Sequence, residues 1–458
     1  MIWTPRPHQQ VMLDWTLGRE HSALFVAPGK GKTSVTLAAI ERRLCDGSPG
    51  ALVISPIRVK GTTWPDQSAR WDHSSYLRVV DLNTEEGVDA WESGSADIYL
   101  THYDMLASKV LRGKHYPGHA EKFLKRKKVP VDQIVWDELS YAKNHSSKRP
   151  NAVRAYNHHF RYRIGLTGTP VANSYMDLFA QIRLLDDGQR LGRHITRFRE
   201  RYFTSDYMGY KFELRPGAKE QIDQAISDLA LVITDDDVDD GLRSSFETIT
   251  VPLPPEALDR YRTFAKELLM EVPDGEITAA SAAVLSNKLL QFTSGAVYDA
   301  EGTPHVLHTA KVDALVALRR RLGNAPLLVI TAFQHEKDRI LAAIPDAQAF
   351  HERDIHAFGR GEIRTWVAQV QQLSHGIDGL QENCQHLCWF TSPWSHERDK
   401  QTNARLIRDG QTGAVHIYRL IVPNSIDEAV VETLEGKSAT ERGLLKALKR
   451  MQAELTSP

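Results

Sequence analysis

Over the first 190 residues, short, nearly continuous apolar runs alternate with stretches whose apolar positions recur every three or four residues. The runs at 23–26, 51–54, 97–100, 134–136 and 163–166 each end in small or polar residues. Strands covered on both faces of a parallel sheet read this way, because neither face meets water. Between them, residues 34–43 show helical spacing and close on Asp46-Gly47-Ser48-Pro49-Gly50, a turn-forming cluster. The alternation predicts a helix-covered parallel sheet with its ligands at the carboxyl ends of the strands.

From about residue 173 to 295 the strand signal fades and helical periodicity takes over, as at 176–182 and 258–264. The alternation then resumes, predicting strands of a second sheet at 327–330, 365–368, 387–390 and 415–418. A last amphipathic helix is predicted near 441–455. The expected class is α/β, with two similar sheets bracketing a helical middle.

Composition adds limits. The 458 residues, 41% of them hydrophobic, suffice for two or three units with separate cores. No run approaches the roughly 20 apolar residues of a membrane span, and no basic-then-apolar leader opens the chain. Three cysteines, Cys45, Cys384 and Cys388, make no disulfide framework, and the last two lack the second pair a zinc site wants. A cytoplasmic protein is expected. The net charge of −1 means that any surface for a polyanion is local. The densest basic stretch, 109–128, contains Arg112, Lys114, Lys122, Lys125, Arg126 and Lys127. It reads equally as a solvated face or as a patch tracking phosphates. The acidic run 235–240 reads as a solvated turn or helix start.

Gly29-Lys30-Gly31-Lys32-Thr33 follows the first predicted strand and opens the first helix. Glycines there let backbone N–H groups approach phosphate oxygens, and the helix N-terminus adds positive potential. Lys32 is expected at the terminal phosphates and the Thr33 hydroxyl at Mg. The full phosphate-loop pattern wants a small residue where Val26 stands, a mild departure. Asp137-Glu138 follows the run 134–136. Beside a phosphate loop, Asp137 suits hydrated Mg and Glu138 suits a general base acting on water. Thr167-Gly168-Thr169-Pro170 ends the last strand of the first sheet. It reads either as a turn or as a coupling element. Gln401, Arg405 and Arg408 are spaced to share one helical face, where arginines make surface ion pairs or clamp a γ-phosphate.

These segments, in this order, resemble the Swi/Snf-type branch of helicase superfamily two, and most closely its short bacteriophage members. The resemblance covers nearly the whole chain. Arg6-Pro7-His8-Gln9 looks like the motif whose glutamine reads adenine, which an amide can do because it both donates and accepts. Ser55-Pro56, with Trp64 downstream, and Thr101-His102-Tyr103-Asp104 resemble the nucleic-acid motifs of the first lobe. Phe333-Gln334-His335 and the segment 375–381, with His375 and Gly376, resemble those of the second. Lys143-Asn144 follows the acidic motif as in the family. Leu139-Ser140 replaces the family's Ala-His, so coupling through that histidine is expected to use other contacts.

The resemblance implies two RecA-like lobes, 1–190 and 301–458, with helical protrusions and a linker at 191–300. It implies ATP and Mg as cofactors, held by Arg6, Gln9, Gly29, Lys30, Gly31, Lys32, Thr33 and Asp137. Glu138, Gln401, Arg405 and Arg408 become the catalytic set, with Arg408 as arginine finger, and Thr167, Gly168 and Thr169 the coupling set. Nucleic-acid contacts fall to Ser55, Pro56, Thr101, His102, Phe333, His335, His375 and Gly376. The implied function is an ATP-dependent motor on DNA, duplex favoured, with branched or single-stranded DNA as alternatives. A strand-separating helicase in phage replication or recombination, and a nucleotide-gated clamp with little turnover, are the competing readings. A monomer with no membrane partner is expected, in the host cytoplasm if phage-encoded.

Overall fold

The apolar runs become strands. The computed structural model describes residues 1–61, 63–111, 114–171, 174–206, 212–234, 237–238, 244–270, 279–373, 379–408 and 411–435. The chain divides into two units, Met1–Asp239 and Asp240–Pro458.

In the first unit, helix α1 (Pro7–Leu17) precedes strand β1 (His21–Val26), which leads into α2 (Lys32–Cys45). Then come β2 (Ala51–Ser55), α3 (Thr63–Arg70), β3 (Val79–Asp81), β4 (Ile98–His102), β5 (Gln133–Asp137) and β6 (Tyr162–Thr167). Helix α4 (Met176–Asp186) and strand β7 (Ala230–Ile233) follow. The seven strands are ordered β7-β1-β6-β5-β2-β4-β3, and every pairing is parallel. Successive residues of each strand serve opposite faces. Ala23, Phe25 and Trp136 pack in one core layer, and Leu24, Val26 and Val135 in the other. Full burial of such side chains stabilises by about 1.5–3 kcal/mol each, which is why the runs lack polar interruption. The register sets Phe25 beside Thr167 and Leu166 beside Asp137, so the carboxyl ends of β1, β6 and β5 lie side by side.

The second unit repeats the plan. Its sheet contains β8 (Ser244–Thr250), β9 (Leu327–Thr331), β10 (Ala347–Ala349), β11 (Thr365–Gln369), β12 (His386–Trp389) and β13 (Val415–Ile421). They are ordered β8-β13-β12-β9-β11-β10, again all parallel. The helices used below are α5 (Pro255–Met270), α6 (Ala279–Ser294), α7 (Ala310–Leu322), α8 (Gln334–Ala343), α9 (His396–Asn403) and α10 (Ile426–Glu435).

The helical middle expected at 191–300 is shared between the units and holds strands. β7 extends the first sheet beside β1, and β8 extends the second beside β13. β8 escapes an apolar reading because it is an edge strand whose side chains are mostly exposed. The basic stretch forms an exposed hairpin, Lys109–Leu111 with Lys114–Tyr116, followed by a turn on which Lys125, Arg126 and Lys127 are exposed. Arg112, most of the acidic run and the predicted helix at 441–455 lie outside the described residues. No helix among the described residues is long and apolar enough to cross a membrane.

Candidate active site

β1 ends against β6, and residues 27–31 turn the chain back into α2. Gly31 caps that helix at φ 81°. A Cβ there would stand 2.3 Å from Gln9 Nε2, so the position needs glycine for both its backbone and the close approach of the amide. Gln9 is fixed in turn, its Oε1 accepting from the Arg6 backbone N–H at 3.0 Å. His8 Nε2 lies 3.2 Å from Lys30 O. The segment Arg6 to Gln9 is thereby seated on the glycine-rich loop. Lys32 Nζ donates to Val26 O at 2.6 Å and Ala27 O at 3.1 Å, which holds the ammonium at the strand end. Thr33 is half-buried in the first turn of α2.

Across β6, Asp137 and Glu138 close β5. Burial lifts the Asp137 carboxyl to about 6, with the Trp64 hydrogen bond opposing, Glu138 adding to the rise and Lys32 opposing it. The indole of Trp64 donates to Asp137 Oδ2 at 2.8 Å. Glu138 is left-handed (φ 59°, ψ 65°) and starts a short 3-10 turn, Leu139–Ala142. Such a backbone costs on the order of 1–3 kcal/mol and persists where its surroundings hold it. Here the Tyr103 hydroxyl lies 3.1 Å from Asp137 O and 3.3 Å from Glu138 O, and its ring stacks on Tyr141.

The turn brings Ser140 back onto the acid. Ser140 Oγ and Thr167 Oγ1 both donate to Glu138 Oε1, at 3.0 and 2.7 Å. The Thr169 N–H donates to Thr167 Oγ1 at 3.2 Å. Ser140, standing where the resemblance expects histidine, thus touches the acid itself. Leu139 is accommodated by Gly165 on β6, where a Cβ would come within 2.7 Å of its Cδ2. Gly168 lies against Pro28 of the glycine-rich loop. The Thr169 hydroxyl is buried and has no partner among the described residues.

In the second unit, Gln401, Arg405 and Arg408 do not share a helical face. α9 stops at Asn403 with Ala404 as its cap, and both arginines sit on the turns beyond it. Gln401 is buried and donates to Glu397 at 3.2 Å, while Arg405 Nε donates to Leu373 O at 3.1 Å. A buried network anchors α9. Arg419 pairs with Asp399 at 2.8 Å and donates to Ser392 Oγ at 3.1 Å. Asn403 donates to Asp399 at 3.1 Å and accepts from the Trp389 indole at 3.0 Å.

Several residues expected to touch nucleic acid are enclosed. Ser55, Pro56, Thr101, His102 and His335 are buried, and the Thr101 hydroxyl lies 2.7 Å from His119 Nδ1. Contact from these positions is left to backbone or to neighbouring side chains. Phe333 is half-buried and stacks on His335. His375 and Gly376 lie outside the described residues.

The arrangement is a glycine-rich loop and helix N-terminus beside an acid pair, and its family follows from comparison. A family model described as "SNF2-related domain" matches residues 8–292. The chain belongs to the SNF2-related family. The chain is an ATP-hydrolysing, DNA-dependent enzyme of that family. It is similar to protein p41 of Acyrthosiphon pisum secondary endosymbiont phage 1, 30% identical over 470 residues, covering 98% of this chain and 99% of that one. It is 21% identical over 537 residues to the DNA repair and recombination protein RAD54B of Homo sapiens. That match covers 98% of this chain and 55% of the human protein, so the chain spans about half the length of that relative. The Pyrococcus furiosus Hef helicase domain shares the two RecA-like lobes at 16% identity and a TM-score of 0.56, covering 94% of this chain and 98% of that one.

Trp64, Tyr103 and the Asp399–Arg419 network escaped a reading by motif. Trp64 and Tyr103 stand inside or beside the quoted motifs, but nothing in their spacing reveals which acid they serve.

Proposed function

We propose that this SNF2-related ATPase is a motor that translocates along duplex DNA. The observation that carries the reading is the contact of Ser140 and Thr167 with a single oxygen of Glu138. It leaves Oε2 without a partner among the described residues, which suits a carboxylate that takes a proton from attacking water. It also ties the acid to the loop after β6, so a displacement of either is felt by the other.

ATP enters this reading as substrate, its adenine met by Gln9 and its phosphates by the N–H groups of residues 29–33 and by Lys32. The donor set fits Mg. Thr33 offers a hydroxyl and Asp137 a carboxylate, both hard oxygen ligands, and the raised Asp137 beside Glu138 is a charge that a divalent cation relieves. Bound there, Mg would neutralise phosphate charge as water attacks. Arg405 and Arg408 are proposed to act on the terminal phosphate in the transition state. Preference for duplex DNA is supported by the motif resemblance, and action on DNA by the relative named for DNA repair and recombination.

The test is ATP hydrolysis without nucleic acid and with single strands, duplex, forked DNA or RNA, each at several salt concentrations. Duplex is expected to stimulate most, falling steeply with salt because the contacts are to phosphates. Displacement of a third strand from a triplex would show movement without unwinding. No stimulation by any nucleic acid would overturn the motor, and strand separation on forks would replace the translocase with a helicase.

A further inference from the structure

Trp64 is fully buried on α3, and packing alone does not account for where its indole points. Trp91 and Trp136 fill the core of the same unit with indole nitrogens that have no partner among the described residues. Trp64 instead meets the carboxylate of Asp137 at 2.8 Å. The identity of the donor matters. An indole N–H donates one hydrogen bond and accepts none, so it fixes the orientation of the carboxylate without cancelling its charge. Lys60 shows the alternative in the same unit, where an ammonium neutralises Asp81.

We propose that Trp64 is a positioning residue for the divalent cation of the nucleotide complex, acting by holding Asp137 Oδ2. This rests on the reading of Asp137 as the metal-facing acid. Groups that orient a metal's ligands from behind typically change metal affinity 10–100-fold when removed. Because Trp64 belongs to the segment after β2, the proposal also links that segment, and whatever binds it, to the metal rather than to the phosphates.

The test is Trp64→Phe, which keeps an aromatic ring and deletes the donor. A fluorescent non-hydrolysable ATP analogue reports binding while Mg is titrated, and Mn binding is followed by electron paramagnetic resonance. The midpoint for Mg is expected to rise about tenfold or more, with analogue affinity in chelator nearly unchanged and the Tm lowered by the smaller buried ring and the lost donor. An unchanged midpoint overturns the proposal. Asp137→Asn separates the two levels of failure. If it abolishes the Mg dependence and Trp64→Phe does not alter it, only the role of Trp64 falls. If Asp137→Asn also leaves the dependence intact, the metal reading of Asp137 falls with it. Should Trp64→Phe not fold, wild type labelled with 15N-tryptophan serves. One indole N–H resonance is expected to move when Mg joins the analogue, and no response from any indole overturns the proposal.

Discussion

Each unit places a glutamate against a threonine hydroxyl at the carboxyl end of its sheet, and the two pairs differ in what remains unsatisfied. In the first, Thr167 donates to Glu138 at 2.7 Å. In the second, Thr391 donates to Glu336, also at 2.7 Å. Glu336 is fully buried, and its second oxygen accepts from the backbone N–H groups of Ala332 and Phe333 at 2.7 and 3.2 Å, capping α8. Burial raises its pKa, and the Thr391 bond, those N–H groups and Lys311 oppose the rise. Lys311 is itself paired with Asp427 at 2.8 Å. Glu138 is half-exposed, and its described partners crowd one oxygen. On the proposed reading, the same chemical pair is structural where both oxygens are engaged and reactive where one is left over.

The largest expected effect comes from making the same change at both sites. Glu138→Gln should keep nucleotide binding and Tm while lowering kcat by about 10²–10⁴, the usual worth of a general base. Glu336→Gln should leave kcat near wild type below the melting transition and cost about 1–3 kcal/mol, because an amide cannot satisfy all the donors aimed at it. Steady-state kinetics and urea melts on both variants decide the matter. A Glu336 variant that folds normally but has lost turnover would erase the distinction between the pairs.

The two sites were unequally legible in the sequence. Asp137 and Glu138 follow an apolar run directly, and Lys32 and Thr33 follow another across a glycine-rich loop, so strand identity and motif chemistry point the same way. The contact of Ser140 with Glu138 was not legible, because it depends on the left-handed backbone of Glu138, which local propensity does not announce. The shared face assigned to Gln401, Arg405 and Arg408 was misread for a tertiary reason. No glycine or proline stands between Asn403 and Arg408. The helix ends where Leu406 turns into the core and Asn403 is held by Trp389 and Asp399. β8 was missed because an edge strand with exposed side chains carries no apolar run.

Acidification should sharpen the contrast on a smaller scale. In the second unit, burial first, with Arg339 adding, lowers His308 and His335 to about 4. Burial first, with His416 adding, lowers His386 to about 4 as well. In the first unit His119 is lowered to about 4 by burial and then Lys122. Burial also lowers His21, His73, His102, His145 and His159 to a smaller extent, and the raised Asp137 offsets them. An imidazole whose folded pKa lies below its unfolded value of about 6.5 contributes stability that is complete above pH 6.5. That contribution is lost as pH falls toward 4. At roughly 1.4 kcal/mol per pH unit, His308 and His335 each lose up to about 3 kcal/mol. Glu336, raised by burial, works in the opposite direction and offsets part of this. The second unit should therefore open before the first between pH 6.5 and 4. Pulse hydrogen exchange at one fixed labelling pH, after equilibration across that range, would show it. Earlier opening of the first unit would refute the ranking.

The smallest effect is the most discriminating, because it removes a single hydroxyl from each pair. Thr391→Val leaves Glu336 buried with one donor fewer, so the loss falls on stability, by about 1–2 kcal/mol. Thr167→Val leaves Glu138 with Ser140 as a donor and access to water, so Tm should move by less. Its effect should appear instead in kcat, a fewfold to tenfold reduction with KM for ATP little changed, because the carboxylate is less firmly aimed. If Ser140 and Thr167 aim the acid as a unit, Ser140→Ala combined with Thr167→Val will deviate from additivity. Strict additivity would mean that each hydroxyl acts alone, and the turn built on Glu138 would then serve the strand end more than the chemistry.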